Sequence, residues 1–281
     1  MINPRDINQQ QLGSGFIPPK PEILLQIQTL TNQSADIIEI ADLLARDPGL
    51  SSAVITHINS AMFFMRRKVS DIRQAVILLG ASRVERLCFY YSLRKSLEGD
   101  SCISMERFWA TAEKVARGCY LFGKTLDLKV PEEDLYSAGL FHDCGIAIMA
   151  RNHASYIDVL NEANHSADTP ITEVEKRYYS YHHSIIGYML AEHWGLPETI
   201  CQVILQNHEY DIQSSPLPAP IVKLIAALKC AENAVELGQR NHPLTDWDKH
   251  LSWILPATGC TETRLNQVID LVIEDLSQFS D

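Results

Sequence analysis

Five side chains offer most of the chemistry this sequence can support. His142 and Asp143 stand together in Ala138-Gly139-Leu140-Phe141-His142-Asp143-Cys144-Gly145-Ile146. On a helix His142 would share a face with Ala138, Gly139 and Ile146, three and four residues away. Asp143 would follow about 100° further round, so an imidazole and a carboxylate could serve one centre. Two glycines inside a helix each cost about 1 kcal/mol against Ala, which predicts a close backbone approach at this segment. His183 shares a helical face with Tyr179, Ile186, Gly187 and Leu190, and His208 follows Ile200 and Ile204 at spacings of four. Glu232 falls four residues after Leu228 and seven after Ile225, so it also points inward on a regular helix. Three imidazoles and two carboxylates from the buried faces of four helices suit a divalent metal such as Zn, Fe, Mn or Ni, and helical bundles build metal sites in this way.

The plainer reading is that each histidine is a hydrogen-bonded core residue and that a His-Asp pair satisfies itself. An inward carboxylate weighs against it, because burial is costly without a partner or an ion. Cys144 beside the pair reads as a small buried hydrophobe rather than a nucleophile. Glu173 and Glu175 read as a solvated first helical turn that complements the helix dipole. His182 faces away from His183 and is expected at the surface. His193 lies roughly 15 Å along the axis from His183, too far for one ion. His57 reads as a core or interface residue. His153, His165, His242 and His250 sit in polar or loop-like surroundings and receive no role.

The elements that must position these groups are helices. Apolar stripes run through Ile23, Leu24, Ile27 and Leu30 after Pro21, and through Ile37, Ile40, Ala41 and Leu44 with Ser34 as the expected N-cap. A helix over about 50–62 follows Asp47-Pro48, then come the stripes Ile72, Ala75, Val76, Leu79 and Val84, Leu87, Cys88, Tyr91. Further on, Phe108, Ala112, Val115, Cys119 and Phe122 make a helix expected to break at Gly123. Later helices are expected over 132–150, 172–193, 198–208, 219–238 and 262–278. No convincing period-2 run or hairpin signal occurs, so the expected class is all-α, a helical bundle in two packed subdomains. The expected organisation is a flexible tail over 1–15, one helical half over 16–100, a second over 101–240, and a helical extension over 241–281.

Composition narrows the function. Of 281 residues, 46% are hydrophobic and 21% charged, which is ordinary globular usage. The net charge of −11, with Arg66-Arg67-Lys68 as the one dense basic run, disfavours binding nucleic acid by bulk charge. The seven cysteines include no C-x-x-C pair, against both a disulfide framework and a structural zinc knot. No signal peptide or membrane-spanning stretch is evident, so a soluble cytoplasmic protein is expected. Phosphate-loop, dinucleotide, nucleophile-elbow and H-E-x-x-H motifs are all missing.

The order of several motifs resembles that of an HDOD domain. Asp47-Pro48-Gly49-Leu50 through Asn59-Ser60-Ala61, and Ala75-Val76-Ile77-Leu78-Leu79-Gly80, match its N-terminal half. Phe108-Trp109, Ala138 through Gly145, Glu175, His183-Ser184-Ile185-Ile186-Gly187, Trp194-Gly195-Leu196-Pro197 and His208 match the second half, for coverage of about 17–238. The resemblance implies an all-helical protein related to HD and HD-GYP phosphohydrolases. Active relatives hold divalent metals with a first histidine, the HD pair, further histidines and a late aspartate, and the metal makes hydroxide available near neutral pH. HDOD proteins are generally regarded as regulatory modules in bacterial signalling.

Residue by residue the pattern is incomplete. Thr111 stands where the first metal histidine is expected, and Ile146 replaces the lysine that follows the HD-x-G element in HD-GYP enzymes. The paired histidines are reduced to Asn207-His208, and the late aspartate corresponds to Glu232. The implied metal set is thus His142, Asp143, His183, His208 and Glu232, for Fe, Mn, Zn, Ni or Mg, or for no metal at all. The resulting expectation is a regulatory protein with a degenerate site that binds a signalling partner or a small molecule or nucleotide. The competitor is a phosphohydrolase acting on a nucleotide or cyclic dinucleotide, with His142 and Asp143 catalytic and Asp143 bridging two ions.

Overall fold

The computed structural model describes residues 12–13, 15–60, 68–166, 169–210, 212 and 216–278. Most of the expected tail, Ala61 with the end of the 50–62 helix, and the basic Arg66-Arg67 lie outside the described residues. Among the described residues every regular element is helical, as the apolar spacing predicts, and no helix is long and apolar enough to cross a membrane. The chain divides into two compact units: Pro18–Glu98, and the chain from Gly99 onward together with the segment around Phe16.

The first unit contains α1 (Glu22–Asn32), α2 (Ile37–Leu44), α3 (Pro48–Asn59), α4 (Ile72–Leu79) and α5 (Ala81–Ser96). Aspartates start three of them. Asp36 closes a capping box with Glu39, Asp47 accepts from Leu50 N at 3.0 Å, and Asp71 accepts from Gln74 N at 3.0 Å. Ser34 is therefore not the cap of α2. It sits in the left-handed region, at φ 53°, and the box two residues later outcompetes it. Beyond α3, the Asn59 amide binds Val69 in both directions, donating to its carbonyl at 2.6 Å and accepting from its N–H at 2.7 Å.

His57, the only histidine in this unit, is buried, and its Nδ1 lies 3.0 Å from the Tyr91 hydroxyl. Burial, with help from Arg94, pushes its pKa down to about 4. The unfolded chain takes up a proton near the ordinary value of about 6.5 and the folded unit only near 4, so stability falls as pH drops through that window. The expected loss is about 3 kcal/mol. Glu85, whose carboxyl burial raises, works in the opposite sense. Hydrogen exchange of α3 and α5 amides in wild type and His57→Gln isolates the histidine. A pH profile unchanged by the substitution would count against the assignment.

The second unit is built round α6 (Met105–Thr125) and α13 (Ala219–Arg240), which pack on each other. Round them lie α7 (Glu132–Phe141), α8 (Cys144–Asn152), α9 (Tyr156–Asn164), α10 (Ile171–Tyr178), α11 (His183–Trp194), α12 (Glu198–Gln206), α14 (Trp247–Thr258) and α15 (Glu262–Ser277). The expected 132–150 helix is thus two helices, broken at His142-Asp143, and the 172–193 helix is two, broken at Tyr179–His182. Helices α9 and α14 were not anticipated. Nor does Gly123 end its helix: α6 continues to Thr125, and the Leu135 side chain packs where a Cβ at Gly123 would lie. Arg117, buried on α6, makes a two-pronged ion pair with Asp275 of α15 through its Nε and Nη2, both at 2.9 Å. The helices after residue 240 therefore belong to the same packed unit.

Candidate metal centre

The break between α7 and α8 sets the site. His142 closes α7 with helical angles, and Asp143 turns to φ −111°, ψ 19°, which directs both side chains into the unit. Two glycines make this possible. A Cβ at Gly139 would come 2.5 Å from the Ala116 Cα on α6, and one at Gly145 would come 1.9 Å from the His183 carbonyl oxygen. Two backbones thus pass close to the HD segment, as the glycines predict.

Asp143 lies between two donor groups. Its Oδ1 is 3.5 Å from His183 Nε2 and 3.3 Å from His208 Nε2, and those two nitrogens are 2.9 Å apart. Its Oδ2 is 3.2 Å from His142 Nε2, which is 3.4 Å from Glu232 Oε1. The structure therefore brings together all five residues singled out in the sequence, in two clusters that share Asp143. Thr111 is exposed on α6 and joins neither cluster. Ile146 is buried. Asn207 is fully buried and donates to the carbonyls of His142 and Ile204, both at 3.2 Å, so it steadies the HD segment rather than offering an imidazole.

Each inner histidine is oriented from behind. His142 Nδ1 is 2.8 Å from the Gly139 carbonyl, which can only accept, so that nitrogen carries the proton and Nε2 faces the carboxylates. His183 Nδ1 lies 2.8 Å from Glu175 Oε2, and Glu175 also accepts from the His183 backbone N–H at 3.1 Å and from the Tyr156 hydroxyl. Glu175 is fully buried, which overturns its reading as a solvated first-turn acid. Only Glu173 fits that reading, exposed and paired with Lys176. His182 is likewise buried, not exposed, and burial with the charge of His183 lowers its pKa to about 3. His250 is buried on α14 beside Asp246, at 3.2 Å, rather than in a loop.

The electrostatics divide the two histidines of the first cluster. Burial disfavours a charged His183, but Glu175 and Asp143 outweigh it and raise its pKa to about 10. Burial and then the nearby Lys229 charge push His208 down to about 4. A proton on His183 Nε2 can therefore be donated to His208. Burial acts against ionised Asp143, yet His142 and the two further imidazoles hold its carboxyl well below the usual range. Burial likewise opposes a charged His142, and Asp143 and Glu232 more than offset it, raising its pKa. The Cys144 thiol is pushed up by burial and lies 3.9 Å from the Gly187 carbonyl, as expected of a packed small residue.

The donors fit a divalent ion. Bonds of about 2.1 Å give ligand separations of about 3.4 Å on a tetrahedron and about 3.0 Å on an octahedron. The separations among Asp143, His183 and His208 are 3.5, 3.3 and 2.9 Å. Glu175 supplies the outer carboxylate that metal-binding histidines ordinarily have.

A further group at the site was not anticipated. The ammonium of Lys229, nearly buried on α13, lies 2.8 Å from Glu232 Oε2, close enough for an ion pair though not directed as a hydrogen bond. Its position three residues before an inward-facing Glu232 is the one signal the sequence holds for it.

A helical protein with an HD pair at a helix break and histidines converging on it belongs to the HD class of folds. More narrowly, the chain belongs to the HDOD domain family, whose model matches residues 17–210. A protein from Treponema pallidum (strain Nichols), described as uncharacterized, is 24% identical over 193 residues, which span 68% of this chain and 37% of that relative. A crystal structure of an HDOD domain protein from Geobacter sulfurreducens, described as of unknown function, shares 24% identity at a TM-score of 0.68, covering 93% of this chain and 90% of that one. One from Shewanella amazonensis SB2B, described as a candidate phosphohydrolase, shares 20% identity at a TM-score of 0.69, covering 94% and 91%. These two structures share the fold with this chain.

Proposed function

We propose that this chain is a regulatory HDOD module that holds a single divalent ion at Asp143, His183 and His208 and acts by binding a signalling protein or a small ligand. The observation that carries this reading is what stands at two positions of the expected catalytic pattern. Buried Ile146 and exposed Thr111 occupy the positions where active relatives are expected to place a lysine and a histidine, so neither a cation nor a ligand comes from them. Phosphoryl transfer depends on positive groups aimed at the developing charge, and their loss lowers the rate far more than it lowers binding. A bound ion would supply Lewis acidity and an activated water. The protein's own groups do the rest: Glu175 orients His183, Gly139 orients His142, and Asn207 holds the HD backbone.

A second reading, a phosphohydrolase acting on a nucleotide or cyclic dinucleotide, draws on the two oxygens of Asp143, each facing a different donor set. One experiment distinguishes the two. Chelator-stripped protein titrated with Mn(II) is expected to take up a single ion, lost in a folded His183→Ala variant, with no phosphodiester turnover above that of Asp143→Ala. Steady turnover abolished by Asp143→Ala establishes the hydrolase instead.

A further inference from the structure

We propose that the Lys229 ammonium stands in for a second metal ion, so that the cluster of His142, Asp143 and Glu232 is closed to a divalent cation by a charge the chain itself supplies. The inference rests on the single-ion reading above and goes beyond it by naming the residue that sets the number.

The position of Lys229, buried on α13, carries the inference. Its Nζ lies 2.8 Å from Glu232 Oε2, while Oε1 of the same carboxylate faces His142 Nε2 at 3.4 Å. The ammonium therefore shares a carboxylate with the second donor set.

Charge balance points the same way. Asp143, Glu175 and Glu232 are three largely buried carboxylates; with His183 neutral, as ligation through its Nε2 requires, and His142 neutral as well, one divalent ion and the Lys229 ammonium balance them. A second divalent ion would leave a net positive charge in a poorly solvated space and would sit against the ammonium, a repulsion that burial strengthens. Removing the lysine charge reverses both terms: Glu232 keeps only His142 Nε2, at 3.4 Å, and the second donor set gains the charge to hold an ion.

The test is the stoichiometry of Mn(II) on the full chain, read by calorimetry and by the exchange-coupled electron paramagnetic resonance signal of two neighbouring Mn(II) ions. Wild type and Lys229→Arg are expected to bind a single ion. Lys229→Met is expected to bind one more than wild type, with the coupled signal, and the double variant Lys229→Met/Glu232→Gln to lose that extra ion. Lys229→Gln removes the charge but keeps a polar group against Glu232, and serves if the methionine variant does not fold without metal. The proposal is overturned if folded Lys229→Gln or Lys229→Met binds the same number of ions as wild type. The single-ion reading is judged separately, by the wild-type count: a wild type that binds none sinks that reading and this one with it, whereas a wild type that binds one and a folded charge-free variant that gains none sink this one alone.

Discussion

Glu175→Ala is expected to cost about 3–5 kcal/mol of stability and to weaken Mn(II) binding by roughly 10- to 100-fold, although Glu175 touches no ion. The carboxylate is fully buried and accepts from three donors: the Tyr156 hydroxyl, His183 Nδ1 and the His183 backbone N–H. Removing it strands a buried imidazole that the structure favours in its charged form, and leaves a buried tyrosine hydroxyl without its acceptor. It also frees the ring to take the other tautomer, turning a protonated Nε2 toward the centre when an ion is present. Glu173→Ala, two residues earlier on the same helix and exposed, is the control and should change stability by no more than about 0.5 kcal/mol. Urea unfolding and Mn(II) titration of both variants decide the matter. Equal behaviour would mean that Glu175 does not position His183.

The contrast between these two acids shows how far the sequence can be read. Periodicity tells which face of a helix is apolar, and that sufficed to pick out His142, His183, His208 and Glu232 as polar residues on apolar faces. It does not tell where a helix stops when the stripe runs on past the break. Ala138, His142 and Ile146 keep helical spacing across the junction of α7 and α8, yet the chain turns at Asp143. Glu175 stands among the HDOD matches, but its burial and its role were hidden for a related reason. An acid near a helix start already has an explanation in the helix dipole, so nothing local demands a buried partner eight residues away. Lys229 was hidden because lysine is seldom buried, and only the packing of α13 on its neighbours turns it inward. The HDOD motif order carried the fold together with the positions of His142, Asp143, His183 and His208. The partners of these side chains lie partly outside the motifs, and what they do became visible from distances.

Gly145→Ala tests whether the approach of two backbones, rather than the ligands alone, builds the centre. Helix propensity by itself predicts a gain of about 1 kcal/mol, because Gly145 lies in the first turn of α8 and alanine is the better helix former. The surroundings predict the reverse. A Cβ there would lie 1.9 Å from the His183 carbonyl oxygen, 2.7 Å from its carbon and 2.8 Å from Gly187 N, all backbone atoms of the start of α11. Gly187 meets the same crossing from the other side, its own Cβ position lying 3.2 Å from Gly145 N. No rotamer change relieves such a clash, so α8 and α11 must separate, and His183 must move relative to Asp143. The expected cost is on the order of 3 kcal/mol, with a loss of Mn(II) affinity in any variant that still folds. Gly238→Ala supplies the opposite case. It lies within α13, where an added Cβ meets only Ile273 Cγ2 at 3.6 Å, ordinary van der Waals contact, so the propensity gain of up to about 1 kcal/mol should appear intact. Thermal and urea unfolding of the two variants should thus move in opposite directions. If Gly145→Ala were as stable as wild type and bound Mn(II) as tightly, the packing of α8 on α11 would not be what holds His183 at Asp143.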